Sequence, residues 1–410
     1  MKNRIAITGI GVLSPAGISK DVFWKNCQSG KSFVSEITKF DASKYPSHIA
    51  GEIDNYSECS NVSPRLAKKM DNFSHMALVA SDQALKDSKI SLDDIDKNRV
   101  GVFMGNALGG WFFAETELRD MYVEGREGIS PYMVSSWFPA APQGQISIYY
   151  GLKGYSKTFV SDRASSALAI WHGAKTLKDN KNDFVLAGGT EAPITPYSLL
   201  CVNTCGLLTQ NNANPEKAYR PFDKNRDGFA LAEAAGMVGL EREADAIKRG
   251  AHIYGFIKGF GFSSDGVHHT NSSDKSDELE YAITECLKDA SWEKADVDYI
   301  CLDAEGSQKG DRRETAAIKN VFNKYLDSIA LSAPKSMYGN ALGAQSVLDL
   351  ITTLFTLESN IILPTINIET TDSNCDLNYT PNVPVKKCVK RALIIACGRG
   401  GINFVLAIEK

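Results

Sequence analysis

The chain has 410 residues, 43% of them hydrophobic, enough to bury a large core as one big domain or two closely joined halves. A formal net charge of -4 and a pI of about 6.0 give no electrostatic case for nucleic acid or an anionic membrane. No apolar run reaches the roughly 18–20 residues that span a bilayer, and nine scattered cysteines without a CxxC pair argue for free thiols in a reducing cytoplasm rather than a disulfide framework or zinc site.

In chain order, MKNRIAITGIGVLSPAG opens like a signal peptide. Its β-branched residues broken by glycines read better as a buried first strand running into a turn. HMALVASDQALKDS then has helical spacing, VGVFMG reads as a strand, ALAIWHGAKTLKDN as a helix and FVLAGG as a strand. The loop QNNANPEKAYRPFDKNRDG is polar and rich in turn residues. After Gly250 a second series begins with the strand AHIYGFIKGFGFSSD, the helix ELEYAITECLKDA and the strands VDYICLDAEG and RALIIACG. Strands spaced by helices predict a layered α/β protein with buried sheets. The expected halves are 1–250 and 251–410.

Several local patterns together resemble the β-ketoacyl synthases. They are FVLAGGTEAPITP (184–196), YRPFDKNRDGFALAEAAGMVGLE (219–241), HIYGFIKGFGFSSDGVHH (252–269) and DAEGSQKGDRRETAAI (303–318), followed by APKSMYGNALGA (333–344), LPTINIE (363–369) and CGRGGINF (397–404). Each is weak alone, but seven in order over nearly the whole chain leave little room for chance. The resemblance implies a thiolase-like fold: two similar α/β halves in a five-layered αβαβα arrangement, with no cofactor and no metal.

In that family a cysteine sits at a strand-to-helix turn, where the helix N-terminus favours its thiolate. Two histidines and a lysine complete the site, assisting decarboxylation of a malonyl thioester on acyl carrier protein and stabilising developing charge. Here the elbow is FVSDRASSALAI, and the cysteine position is Arg163. The histidine positions are Glu305 and Asn340; only Lys335 keeps the family type, and Arg399 replaces the usual phenylalanine of the glycine-rich C-terminal motif. All six histidines (His48, His75, His172, His252, His268 and His269) precede residue 270, whereas the family's catalytic pair follows it. An arginine cannot act as the nucleophile, and a cation at a helix N-terminus needs compensation. The expectation is an Arg163–Glu305 ion pair with Asn340 hydrogen-bonded nearby and Asp162 as a second partner. The alternative has Arg163 pointing to water or into a tunnel mouth.

This pattern resembles the chain-length factor, the β subunit of type II polyketide ketosynthases, whose elbow typically reads VSDQA where this chain has VSDRA. GQISIYYGLKG at 144–154 fits the same subfamily. The resemblance implies a heterodimer with an active ketosynthase, which would supply the main contact with acyl carrier protein. It also implies a channel whose length is set by bulky side chains from 105–125. Trp111, Phe112, Phe113 and Leu118 are the gate residues expected there, with Met133, Trp137 and Phe138 behind them; ordinary packing is the plainer reading of any one of these. Lysine outnumbers arginine 31 to 14, which leans towards polyene or aryl-polyene rather than aromatic products. Fatty-acid-like synthesis is the broader expectation. Two rivals are a stand-alone acyltransferase or hydrolase using Ser161 or Ser165, and a non-catalytic homodimeric scaffold. Cys201 and Cys205 lie outside the elbow and read as structural thiols. His268, His269 and Asp265 lack a further ligand at helical spacing, and DKNRDG lacks the terminal glutamate of a calcium loop.

Overall fold

The computed structural model describes residues 4–410. Ten strands make one continuous mixed sheet. The first five are β1 (Ile5–Leu13), β2 (Val100–Gly105), β3 (Lys157–Phe159), β4 (Phe184–Glu191) and β5 (Ala234–Arg242). The second five are β6 (Gly255–Ser264), β7 (Tyr299–Cys301), β8 (Ala330–Ser332), β9 (Arg391–Gly398) and β10 (Ile402–Glu409). Spatial order is β3-β2-β4-β5-β1 in one half and β8-β7-β9-β10-β6 in the other. Each half therefore repeats the order 3-2-4-5-1. In each, the first three of these strands are mutually parallel and the last two pair antiparallel. The halves meet where Ile5–Ile7 of β1 pair antiparallel with 255–257 of β6.

Helices fill three further layers. The main ones are α1 (Asn72–Ser88), α2 (Trp111–Glu124), α3 (Ser165–Lys178), α4 (Asp277–Ala290), α5 (Gln308–Phe322) and α6 (Gln345–Ser359). Helix α1 covers the outer face of β1, β4 and β5, and α4 covers β6 and β10. Helices α3 and α6 pack on each other between the two halves of the sheet. The result is the five-layered thiolase-like arrangement. Strands β1, β2 and β4 are buried along their whole length, as continuous apolar runs covered on both faces must be. Helix α6 is buried except near its C-terminal end, which suits a central layer.

Glycine sets the closest approach in both halves at matching places. A Cβ at Gly11 of β1 would lie 1.9 Å from the Ala80 carbonyl oxygen of α1, and one at Gly261 of β6 would lie 1.8 Å from that of Ala282 of α4. Neither distance is possible, so only glycine lets these helices seat. Among the described residues no helix is long and apolar enough to cross a membrane.

Candidate functional site

The elbow lies where β3 runs into α3. Asp162 adopts a left-handed conformation, φ 49°, giving the sharp turn needed to aim residue 163 inwards. The Ser165 hydroxyl donates to the Asp162 carbonyl at 2.6 Å and accepts from the Ser161 N–H at 2.8 Å. Helix α6 is stitched to the same turn, because the Ser346 hydroxyl donates to the Arg163 carbonyl and the Val347 N–H donates to the Ser166 hydroxyl.

Arg163 is 1% exposed and does not reach water. Its Nη2 donates to Glu305 Oε2 at 2.7 Å and to Asp303 Oδ2 at 3.1 Å, while Nε points to Asp303 Oδ1 at 3.4 Å. Asp162 Oδ2 lies 3.5 Å from Nη1. Burial alone would lower the affinity of the guanidinium for its proton, but Asp303, then Glu305 and Asp162, outweigh it and hold the group firmly charged. For the Asp303 carboxyl, burial pushes upward, and Arg163 followed by Lys335 pulls it below the usual range. Asp303 Oδ1 also accepts from the Cys397 N–H at 2.9 Å, and Glu305 Oε1 accepts from the Ser307 hydroxyl at 2.5 Å. Lys335 is fully buried and donates to the Asp303 carbonyl at 2.9 Å, with Asp349 Oδ2 2.8 Å away.

Asn340 departs from expectation. Its side-chain carbonyl accepts from the Leu342 N–H at 3.0 Å, holding the turn ahead of α6, and it makes no hydrogen bond to the Arg163 cluster. The second carboxylate of the cluster is Asp303, which the sequence reading passed over. The signal was present in DAEG, where acidic residues stand two apart as a strand ends. Arg399 reaches the edge of the site: its N–H donates to Asp162 Oδ2 at 2.8 Å and its Nη1 lies 2.8 Å from Cys205 Sγ.

The arrangement differs from a cysteine–histidine–histidine site at each of those three positions, which hold Arg163, Glu305 and Asn340. The nucleophile position holds a cation wedged among carboxylates, and the hydroxyl of Ser165 is committed to the turn. Five histidines are engaged with other groups: His48 with the Tyr45 carbonyl, His75 with Ser60, His252 with Glu358, His268 with Thr270, and His172 stacked on Phe159, while His269 packs on His268. Among the described residues no cluster of three or more His, Cys, Asp or Glu could hold a metal ion.

The expected gate residues lie apart from this centre. Trp111, Phe112 and Leu118 line a groove of about 860 Å³, together with Phe40, Glu115, Ile194 and Tyr197. Phe113, Met133, Trp137 and Phe138 do not line it, although Trp137 backs Trp111 with ring centroids 6.4 Å apart. Arg163, Glu305, Lys335 and Asn340 are absent from its walls. A buried apolar cluster contains both Ile194 of the groove and Leu342, whose N–H donates to Asn340. Elsewhere between residues 112 and 160, Tyr122, Val123, Val134 and Ile148 are 84%, 77%, 78% and 79% exposed.

Comparison with known proteins agrees with this architecture. The family model "Beta-ketoacyl synthase, N-terminal domain" matches residues 2–246, and its C-terminal counterpart matches 254–369. A 3-oxoacyl-[acyl-carrier-protein] synthase 2 of Coxiella burnetii is 34% identical over 409 residues, covering 100% of this chain and 99% of the relative. A Streptomyces violaceoruber protein named for granaticin polyketide β-ketoacyl synthase 1 is 32% identical, with coverage of 100% and 99%. Among solved structures, the ishigamide ketosynthase/chain length factor superposes with a TM-score of 0.92 at 26% identity, covering both chains fully. A type II polyketide synthase acyl-carrier protein in complex with its ketosynthase bound to the hexaketide gives a TM-score of 0.92 at 28% identity, covering 100% and 99%. These two sequence relatives carry the names of synthases rather than of chain-length factors. With both domain models matched along an otherwise intact framework, the chain belongs to the β-ketoacyl synthase family.

Proposed function

We propose that this chain is the non-condensing subunit of a β-ketoacyl synthase pair and shapes the channel that limits product length, as a chain-length factor does. The observation that carries the proposal is Arg163: a buried guanidinium held by three carboxylates at the nucleophile position. Arg163 stands where the family's cysteine would be, and Glu305 and Asn340 stand where its histidines would be, so condensation falls to a partner with an intact cysteine. The partner would be an active ketosynthase, and acyl carrier protein would deliver substrate mainly to it. Ser165 is disfavoured as a substitute nucleophile because its hydroxyl is committed to the turn, and Ser161 because no hydrogen bond among the described residues joins its hydroxyl to a base.

The exposed apolar side chains between residues 112 and 160 support a large protein interface, since isolated soluble chains rarely leave so much apolar surface open. Strand β3 ends the sheet, and its outer edge has no strand partner among the described residues, another surface that a second subunit would cover. In this reading the groove beside α2 opens towards the partner and receives the distal end of its acyl chain.

Two co-expression outcomes test this. Product forms only when the chain is expressed with a ketosynthase carrying the cysteine and both histidines; product from this chain alone would refute the proposal. Trp111→Ala or Phe112→Ala in the pair lengthens or broadens the product distribution, read by mass spectrometry, because each removes an aromatic wall of the groove. An unchanged distribution would remove the gate assignment.

A further inference from the structure

The groove has two facing walls, one on α2 and one at the start of the helix Pro196–Thr204, and the acidic side chain of Glu115 crosses from one to the other. Glu115 of α2 accepts from the Thr195 hydroxyl and, at 3.1 Å, from the Tyr197 N–H. The N–H groups of a helix's first turn have no partner within the helix. Thr195 satisfies that of Ser198 with its own side chain at 3.3 Å, and Glu115 takes the next one. A carboxylate is the favourable charge at that helix end.

Other contacts fix what Glu115 hangs from and what it holds. Asp71 accepts from the Phe113 N–H at 2.7 Å and from Phe73 at 3.0 Å, so it caps α1 and pins the first turn of α2. The far end of the Pro196–Thr204 helix is held by the Arg399 contact to Cys205. Tyr197 is about half-exposed, and its ring lies 4.6 Å from that of Trp111 across the groove. Without Glu115, the start of this helix loses its polar tie to α2, and the Trp111–Tyr197 pair loses the bracket that fixes its geometry.

We infer that Glu115 is a positioning residue that sets the separation of the two groove walls, and so the thickness of the apolar chain the groove admits. The inference rests on the groove reading for its ligand, but the bracket itself does not. Glutamine at this position keeps an acceptor for both donors; alanine keeps none.

The test uses the full chain and cis-parinaric acid, a conjugated long-chain acid whose binding is read by energy transfer from tryptophan, with Trp111→Phe marking the share due to the groove. E115A should weaken binding about tenfold, as expected for loss of a charge-assisted bond that orders a wall, and E115Q should stay within about twofold of the parent. Equal binding by E115A and the parent, or equal loss in E115A and E115Q, would overturn the inference. Near-ultraviolet circular dichroism of the Trp111–Tyr197 pair, without probe, separates the two layers. If the parent fails to take up the probe, the acyl-groove reading falls, while a dichroism band lost in E115A and kept in E115Q still upholds the bracket. A band unchanged in E115A overturns it.

Discussion

Arg163→Met is expected to destabilise the fold by about 3–5 kcal/mol at neutral pH, the range for breaking a buried ion pair by removing one partner. Methionine can occupy much of the same space, so the loss is electrostatic rather than a cavity effect. It leaves Asp303 and Glu305 facing each other in a buried site. The penalty should depend on pH, with a sign fixed by Asp303. In the parent its carboxyl is held below the usual range despite burial, chiefly by Arg163 and Lys335. Such a group contributes stability above its unfolded value of about 3.9, and that contribution is lost as pH falls through the folded value. In the variant, burial without Arg163 raises the carboxyl, so the contribution of Asp303 is greatest in acid and declines as pH rises. The gap between parent and variant therefore widens from pH about 4 to pH about 7. Urea denaturation at several pH values measures it. A variant as stable as the parent at neutral pH would mean that the cluster does not hold this site together.

Val134→Asp combined with Ile148→Asp should weaken association with the partner ketosynthase by a factor of about 100 or more, while leaving the fold intact. Both side chains are more than three-quarters exposed, so a carboxylate there meets water in the free chain and a dry apolar surface only in the pair. Co-purification through a tag on the partner, with circular dichroism of the free chain as the control for folding, reads the effect. Undiminished pairing would place the interface elsewhere.

The two-half α/β character is legible because the halves are built from apolar strands and amphipathic helices whose periods survive in the sequence, whereas the five-layered thiolase-like arrangement follows only from the family resemblance. The short edge strands β3 and β8, three residues each, carry too little pattern to be read without the sheet around them. Arg163 and Glu305 could be found from their motif positions, and their approach follows from charge: a buried cation at a helix N-terminus must be compensated. Asp303 was missed because its part depends on where a strand end points, not on its own type. Asn340 was misassigned for a related reason. A position that carries a histidine in the family was expected to face the site chemically, but an asparagine there closes a local turn with Leu342 instead, as asparagine side chains readily do. The groove was half legible. The aromatic residues of α2 announce apolar surface, but the opposite wall at Ile194 and Tyr197 is brought up by tertiary packing that no local spacing encodes.

The most direct test of the non-condensing role is intact-protein mass spectrometry of the purified pair after incubation with an acyl-loaded carrier protein. The account predicts that the acyl mass appears on the partner and that this chain keeps its unmodified mass at every time point. A covalent acyl adduct on this chain, mapped to any serine or cysteine near the Arg163 cluster, would contradict it.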